Sequence, residues 1–488
     1  MKILRVWLGA SLAGLNLCFC SGEFHSVRVK ICDKDEFMLY SRFIFSFGLK
    51  MDEVKKYPQI SALIDDERLK NEPQFLRAHF AKVVVAEFRA QKNSADKAFL
   101  VAEIKKRIDE FKGKDFQPLI NATGVVIHTN LGRSAIDERV FDECKSLVCG
   151  YFNLEFDLNS GKRGDRYGVL LEKLKILFGA QDALIVNNNA AAVFLVLNSL
   201  ANGGEVITSR GELVEIGGNF RVPEVMKSAN ARLVEVGTTN KTHLKDYENA
   251  INESTALLLK THKSNFTLKG FHSEVPLCDL NALGKANNLP LYYDLGSGWC
   301  SELNKSLTKG EPSISELAKE CDIISFSADK LFGSVQAGVI LGRKDLIEKL
   351  KNNQILRMLR VDKITLGLLN ATLKAYLNKD YDKITTLKLL NDSAQAVKEK
   401  AQKAQNAINV KCELKESKSL VGGGSMPEKF LPTFVLAFSG KALSLQERFR
   451  GLGIVGRIEN ECFVLDFRSV RECEIERLAT LINKEFAR

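Results

Sequence analysis

Ile323-Ile324-Ser325-Phe326-Ser327-Ala328-Asp329-Lys330-Leu331-Phe332-Gly333 is the stretch that decides the fold. It reads as a short apolar strand that runs into a Ser-x-x-Lys turn, with Lys330 at the strand's end. An ammonium in that place is costly to desolvate, so the neutral, nucleophilic amine becomes accessible. Upstream, Leu291-Tyr292-Tyr293 is a second apolar run and ends in Asp294-Leu295-Gly296-Ser297-Gly298. Strand, Asp, strand, Lys is the order a pyridoxal phosphate (PLP) enzyme requires: the lysine holds the aldehyde and the aspartate keeps the pyridinium nitrogen protonated. Taken alone, the same residues also fit a surface lysine behind an edge strand and an aspartate turn.

Working outward, strands and helices alternate. Strands are predicted at 183–186, 205–208, 232–236, 256–260, 291–294, 322–326 and 337–341, with helices at 190–200, 244–251 and 277–287 among the gaps. Such alternation gives βαβ units and a mostly parallel central sheet covered on both faces. Ligands in such sheets sit beyond the carboxyl ends of the strands, where Asp294 and Lys330 both fall.

Four segments follow from the patterning. Residues 1–50 carry a basic start, an apolar run over 6–20 and Ser21-Gly22, the outline of a secretory signal too short to span a membrane. Since the remainder reads as a cofactor enzyme, the favoured reading is a non-native extension, with the true start at Met38 or Met51. Residues 51–117 are expected to be helical, over 52–69 and 72–111. They include Arg77, Lys82, Arg89, Lys92, Lys97, Lys105, Lys106 and Arg107, either a solvated face or a phosphate-backbone contact. Residues 118–375 form the large α/β domain and 376–488 a small α+β domain. The latter opens with helix up to 409 and a Val421–Ser425 glycine loop, followed by strand-like runs at 434–438, 454–458 and 462–467.

Composition excludes several classes. With 488 residues, 45% of them hydrophobic and 27% charged, the chain is globular and large enough for two or three domains. The net charge of +10 favours a polyanionic partner. Eleven cysteines without a Cys-x-x-Cys pair predict reduced thiols in a cytoplasmic protein, with no disulfide framework and no metal site.

Further candidates lie around the Lys-Asp pair. Asn187-Asn188-Asn189-Ala190-Ala191-Ala192 follows a strand and opens a helix, either a phosphate cradle of backbone N–H groups or a simple helix cap. Arg357 and Arg360, three apart in a segment expected to be helical, share a face. Arginine's planar fork suits a multiply charged anion, although a solvated pair would look the same. Cys300, after the Gly296–Gly298 turn, is read as a buried structural thiol rather than a reactive one.

These stretches, with 120–133 (Ile-Asn-Ala-Thr-Gly-Val-Val-Ile-His-Thr-Asn-Leu-Gly-Arg), 210–223, 235–242, 263–266 and Leu356-Arg357-Met358-Leu359-Arg360-Val361-Asp362-Lys363, closely resemble the bacterial selenocysteine synthase family. The resemblance runs from about Met51 to the C-terminus. It implies a type I PLP fold, a homodecamer built from dimers and an N-terminal helical region that grips tRNA. The implied reaction turns seryl-tRNA(Sec) into selenocysteyl-tRNA(Sec) with selenophosphate, through a PLP-bound aminoacrylate. It further implies that Lys330 carries PLP opposite Asp294, and that Arg133, Arg357 and Arg360 line the selenophosphate pocket. Asn188 and Ser327 are expected as phosphate ligands and His262 as a residue stacked on the ring; His128 and Arg166 are weaker candidates. Two alternatives stay open: a PLP lyase of the same fold acting on a free small molecule, and a tRNA-binding scaffold without catalysis.

Overall fold

The structure, a computed structural model, describes residues 57–91, 95–216, 220–300 and 303–486. The proposed extension at 1–50 lies outside the described residues. The chain divides into two units, 1–117 and 118–488. Among the described residues no helix is long and apolar enough to cross a membrane.

In the first unit the two long helical runs expected from periodicity are interrupted. Helix Ile60–Ile64 gives way to a 3-10 turn at Glu67–Leu69, and helices Gln74–Ala90 and Lys97–Lys112 follow. The breaks coincide with residues that start helices rather than continue them. Asp66 and Asp96 accept hydrogen bonds from the backbone of Arg68 and Phe99, and Pro73 precedes Gln74. Leu100, Val101, Ile104 and Ile108, at three- and four-residue spacing, bury against Ala81, Val84 and Val85. Much of the basic character is spent inside this unit. Glu72 binds Lys105 and Lys112, Arg107 pairs with Glu87 and Glu103, and Lys97 pairs with Asp66.

In the second unit, seven strands form one sheet in the order Asp182–Val186, Gly338–Gly342, Ile323–Ser327, Leu291–Gly296, Thr255–Thr261, Glu205–Ser209 and Arg232–Val236. Only Gly338–Gly342 runs antiparallel to its neighbours. The three strands Gly338–Gly342, Ile323–Ser327 and Leu291–Gly296 are buried along their whole length. Burial on both faces is why they read as continuous apolar runs rather than alternating ones.

A second sheet of five strands orders Arg457–Glu459, Cys462–Asp466, Ser425–Phe438, Cys412–Gly422 and Val125–Ile127. Two features depart from expectation. Cys412–Gly422, with polar residues on its open face, was not legible as a strand. Val125–Ile127, where no strand was expected, lies parallel to Cys412–Gly422 in this sheet. Gly124 is what admits it. Its φ is +78°, and a Cβ there would fall 2.2 Å from Asp466 Oδ2. Asp466 is fully buried and accepts from Ser419, Thr433 and Arg457, while Arg457 Nη1 also donates to the Thr123 carbonyl at 2.7 Å. The segment that leads to Arg133 is thereby anchored in the five-stranded sheet.

Candidate active site

Lys330 lies just beyond strand Ile323–Ser327 and is 7% exposed. Burial pushes its amine below the ordinary lysine range, the Arg133 guanidinium pushes it further the same way, and Asp294 and Asp329 oppose both. Asp294, on the neighbouring strand, is 2% exposed. Burial pushes its carboxyl above the usual range, opposed by the Asn189 side chain and by Lys330. The two residues the sequence paired thus share one electrostatic environment, each made easier to neutralise by desolvation.

The turn after Lys330 is held from the opposite side of the chain. Ser134 Oγ donates to the carbonyls of Asp329 at 2.9 Å and Lys330 at 2.8 Å. Arg133 has a left-handed backbone (φ 62°) and its Nη1 meets Asp329 Oδ2 at 2.7 Å. A bulky residue in that region marks a constrained position. The five-stranded sheet closes the remaining side. A hairpin whose strands end at Gly422 and begin at Ser425 puts Gly424 (φ +74°) against the lysine, where a Cβ would stand 3.3 Å from Nζ. Ser425 Oγ bonds Ser297 Oγ at 2.6 Å in the interior, tying that hairpin to the turn after Asp294.

Asn188 and Ser327 fall on one carboxyl edge. Ser327 is buried and pairs with Gly338, which pairs with Val186 at the end of the strand leading to Asn188. The Asn188 side chain is engaged as a helix cap, accepting from the Ala191 amide at 2.8 Å. An anion there would therefore meet the start of helix Asn189–Leu200 through backbone N–H groups. The neighbouring Asn189, passed over in the sequence, is the residue that reaches the site. Its Nδ2 donates to Asp294 Oδ1 at 2.8 Å, while its own Oδ1 is buried without a partner.

His262 donates its backbone N–H to the Asp294 carbonyl at 2.9 Å. Its ring Nε2 lies 3.0 Å from Glu311 Oε2 and its Nδ1 3.4 Å from the Tyr293 hydroxyl. It lines a cavity of about 800 Å³ together with Lys260, Lys263, Glu274 and Lys429. His128 has a buried Nδ1 without a partner, and burial pushes its ring below the ordinary histidine range. Burial pushes the Cys300 thiol up to about 12, so it stays protonated and matches the structural reading.

The arginines require a correction. Arg357 closes a short 3-10 helix, Gln354–Arg357, and Arg360 lies in the loop beyond it, so they do not share a helical face. The loop is pinned: the Leu359 carbonyl accepts from Asn187 N at 3.1 Å, and the Val361 carbonyl accepts from Arg166 Nη2 at 2.7 Å. A tight turn docked between two other segments overrides the helical spacing. Arg357 is exposed and has no ion-pair partner among the described residues. Arg360, Arg166 and Arg163 converge on Glu155, which no motif had singled out. These arginines, Arg166 foremost, hold the Glu155 carboxyl below its usual range.

The site residues fit PLP in two respects. A buried, readily neutralised amine stands where the aldehyde needs one, and a buried carboxyl braced by an asparagine stands where a ring nitrogen needs one.

The sequence is 62% identical to an L-seryl-tRNA(Sec) selenium transferase of Campylobacter jejuni subsp. jejuni (strain 81-176) over 89% of this chain and 99% of that protein. It is 58% identical to the Campylobacter lari protein of the same description, over 89% of this chain and all of that one. Among solved structures, a D-glucosaminate-6-phosphate ammonia-lyase covers 78% of this chain and 97% of its own, with a TM-score of 0.56 at 21% identity, a likeness of fold alone. The sequence pattern of the SelA family, described as L-seryl-tRNA selenium transferase, matches residues 119–471, and the chain belongs to that family.

Proposed function

We propose that this protein converts seryl-tRNA(Sec) into selenocysteyl-tRNA(Sec), with selenophosphate as selenium donor and PLP as cofactor. The observation that carries the reading is the Lys330–Asp294 pair, buried at neighbouring strand ends, in a chain that aligns with nearly the whole length of transferases of that description. Lys330 would hold the aldehyde, Asp294 the ring nitrogen, and the start of helix Asn189–Leu200 the phosphate. When bound, PLP supplies an electron sink for charge developing at the substrate's α-carbon.

The protein's own groups do the rest. Burial and Arg133 keep the Lys330 amine ready to accept the α-proton at Nζ. Asn189 holds the Asp294 carboxyl in the orientation that would face the ring nitrogen. Ser134 and the Arg133–Asp329 pair fix the turn that aims the lysine. Departure of the β-hydroxyl then opens the β-carbon to selenium.

Arg133, Arg357 and Arg360 are assigned to selenophosphate. The exposed Arg357, without a carboxylate partner among the described residues, supports this most directly. For the tRNA, Lys82 and Arg89 remain uncommitted to carboxylates among the described residues, Arg89 resting over the Tyr57 ring. Phe156, Leu158, Val169, Ile176 and Met358 are large apolar side chains left exposed, and a homodecamer is assigned as the assembly that would cover such residues. A cytoplasmic location follows from the tRNA substrate.

The test is the visible spectrum of the purified protein. A yellow chromophore that shifts with seryl-tRNA(Sec) and not with free serine is expected. A yellow protein indifferent to the charged tRNA would transfer the reading to a lyase of free small molecules, and a colourless one would remove PLP from it.

A further inference from the structure

Beneath Asp294 lies a line of hydroxyls that the reaction has not yet used. Tyr292 precedes Asp294 by two residues and Ser325 pairs with Asp294 across the parallel strands, so all three share one face of the sheet. Tyr292 OH lies 2.7 Å from Ser325 Oγ, and Ser325 Oγ lies 3.5 Å from Asp294 Oδ1, the oxygen that also receives Asn189 Nδ2 at 2.8 Å. Tyr292 is 1% exposed and Ser325 fully buried. Across the sheet Tyr292 pairs with Ile323 and Leu259, and Ser325 with Ile340, so Phe or Val would pack in these places without any hydroxyl to satisfy. With Tyr292 as donor to Ser325, the serine proton is left to face the carboxylate. The serine leg is long, so Asn189 makes the strong contact and the two hydroxyls back it electrostatically.

The geometry points to Tyr292 and Ser325, together with Asn189, as positioning residues that fix the orientation of the Asp294 carboxylate toward the cofactor's ring nitrogen. The inference rests on the PLP reading above and extends it to residues that never touch the cofactor. It predicts that the chain acts as one unit: breaking it at Tyr292 or at Ser325 has the same consequence.

Tyr292→Phe removes one oxygen and keeps the ring. In the holoenzyme we expect PLP still trapped on Lys330 by borohydride, but held about threefold to tenfold more weakly, the scale of one hydrogen bond. We also expect a displaced visible band and a kcat lowered by about the same factor, with the KM for seryl-tRNA(Sec) unchanged. Tyr292→Phe combined with Ser325→Ala should lose no more than Ser325→Ala alone. A Tyr292→Phe enzyme with wild-type PLP affinity, band and kcat, altered only in melting temperature, would overturn the proposal, as would losses that multiply in the double variant. If Tyr292→Phe does not fold, Ser325→Cys, which keeps the volume and weakens the donor, carries the same expectation and the same refutation. A colourless wild type would overturn the PLP reading and this proposal with it; a yellow wild type with an indifferent variant overturns this proposal alone.

Discussion

Gly424 and Lys330 meet across the second unit, between the five-stranded and the seven-stranded sheet: a Cβ on Gly424 would stand 3.3 Å from the lysine Nζ. Gly424 also holds φ +74°, a backbone that costs other residues about 1–2 kcal/mol. Gly424→Ala should therefore fold with a modestly lowered Tm and crowd the amine. We expect kcat to fall on the order of tenfold to a hundredfold, as misplacement of a reacting group does, with PLP still bound. Steady-state kinetics beside a PLP titration checks this, and an unchanged kcat would show that the hairpin tolerates a side chain there.

Asp294 shapes stability as well as chemistry. Its folded pKa is raised by burial, so its contribution to stability is present below the ordinary carboxylate pKa of about 3.9 and is lost as pH rises through the higher folded value. At neutral pH, above the ordinary carboxylate range, the burial of this group destabilises the cofactor-free protein. Asp294→Asn should raise the Tm of that form at pH 7, narrow the difference at pH 4, and abolish turnover. Thermal melts of both proteins at the two pH values decide it; a lower Tm for the variant at pH 7 would contradict the sign.

Glu155 holds Arg163, Arg166 and Arg360. Glu155→Gln keeps the shape and removes the charge that fixes Arg360. If Arg360 belongs to the selenophosphate site, the KM for selenophosphate should rise several-fold, while the KM for seryl-tRNA(Sec) stays put. Equal effects on both substrates would argue against that assignment. The exposed Arg163 and Arg360 contribute little to stability, so any loss comes from the largely buried Arg166.

Arg468 is 1% exposed and donates to the carbonyls of Leu389, Asp392 and Pro432, bonding the strand Ser425–Phe438 to helix Thr385–Asn391. Arg468→Met takes the donor from three carbonyls, that of Leu389 buried and the other two part-buried. A loss of about 1–3 kcal/mol in urea unfolding is expected.

The sheet was legible because its signal is local. Seven apolar runs bounded by polar turns were placed as strands, and each is one, within a residue or two of the observed limits. The one antiparallel strand, Gly338–Gly342, left no mark of its direction in the sequence. Asn188 was singled out because it opens a helix, yet its side chain caps that helix and the next residue, Asn189, reaches Asp294. Arg357 and Arg360 matched a helical spacing that a docked turn replaced, since a three-residue interval does not reveal which segments press on it. Cys412–Gly422 was missed because a strand open on one face and rich in charge lacks a buried run.

The sequence by itself determined the succession of elements and the placing of Asp294 and Lys330 at strand ends, since both depend on hydrophobic period and turn chemistry over a few residues. Only the tertiary structure decided what surrounds them. It seated Val125–Ile127 in the five-stranded sheet, brought Arg133 to Asp329 and Gly424 to Lys330, and set Tyr292 and Ser325 beneath Asp294. Those meetings are fixed by crossovers between distant strands, and the packing that rewards them has no trace in either partner's own stretch of chain.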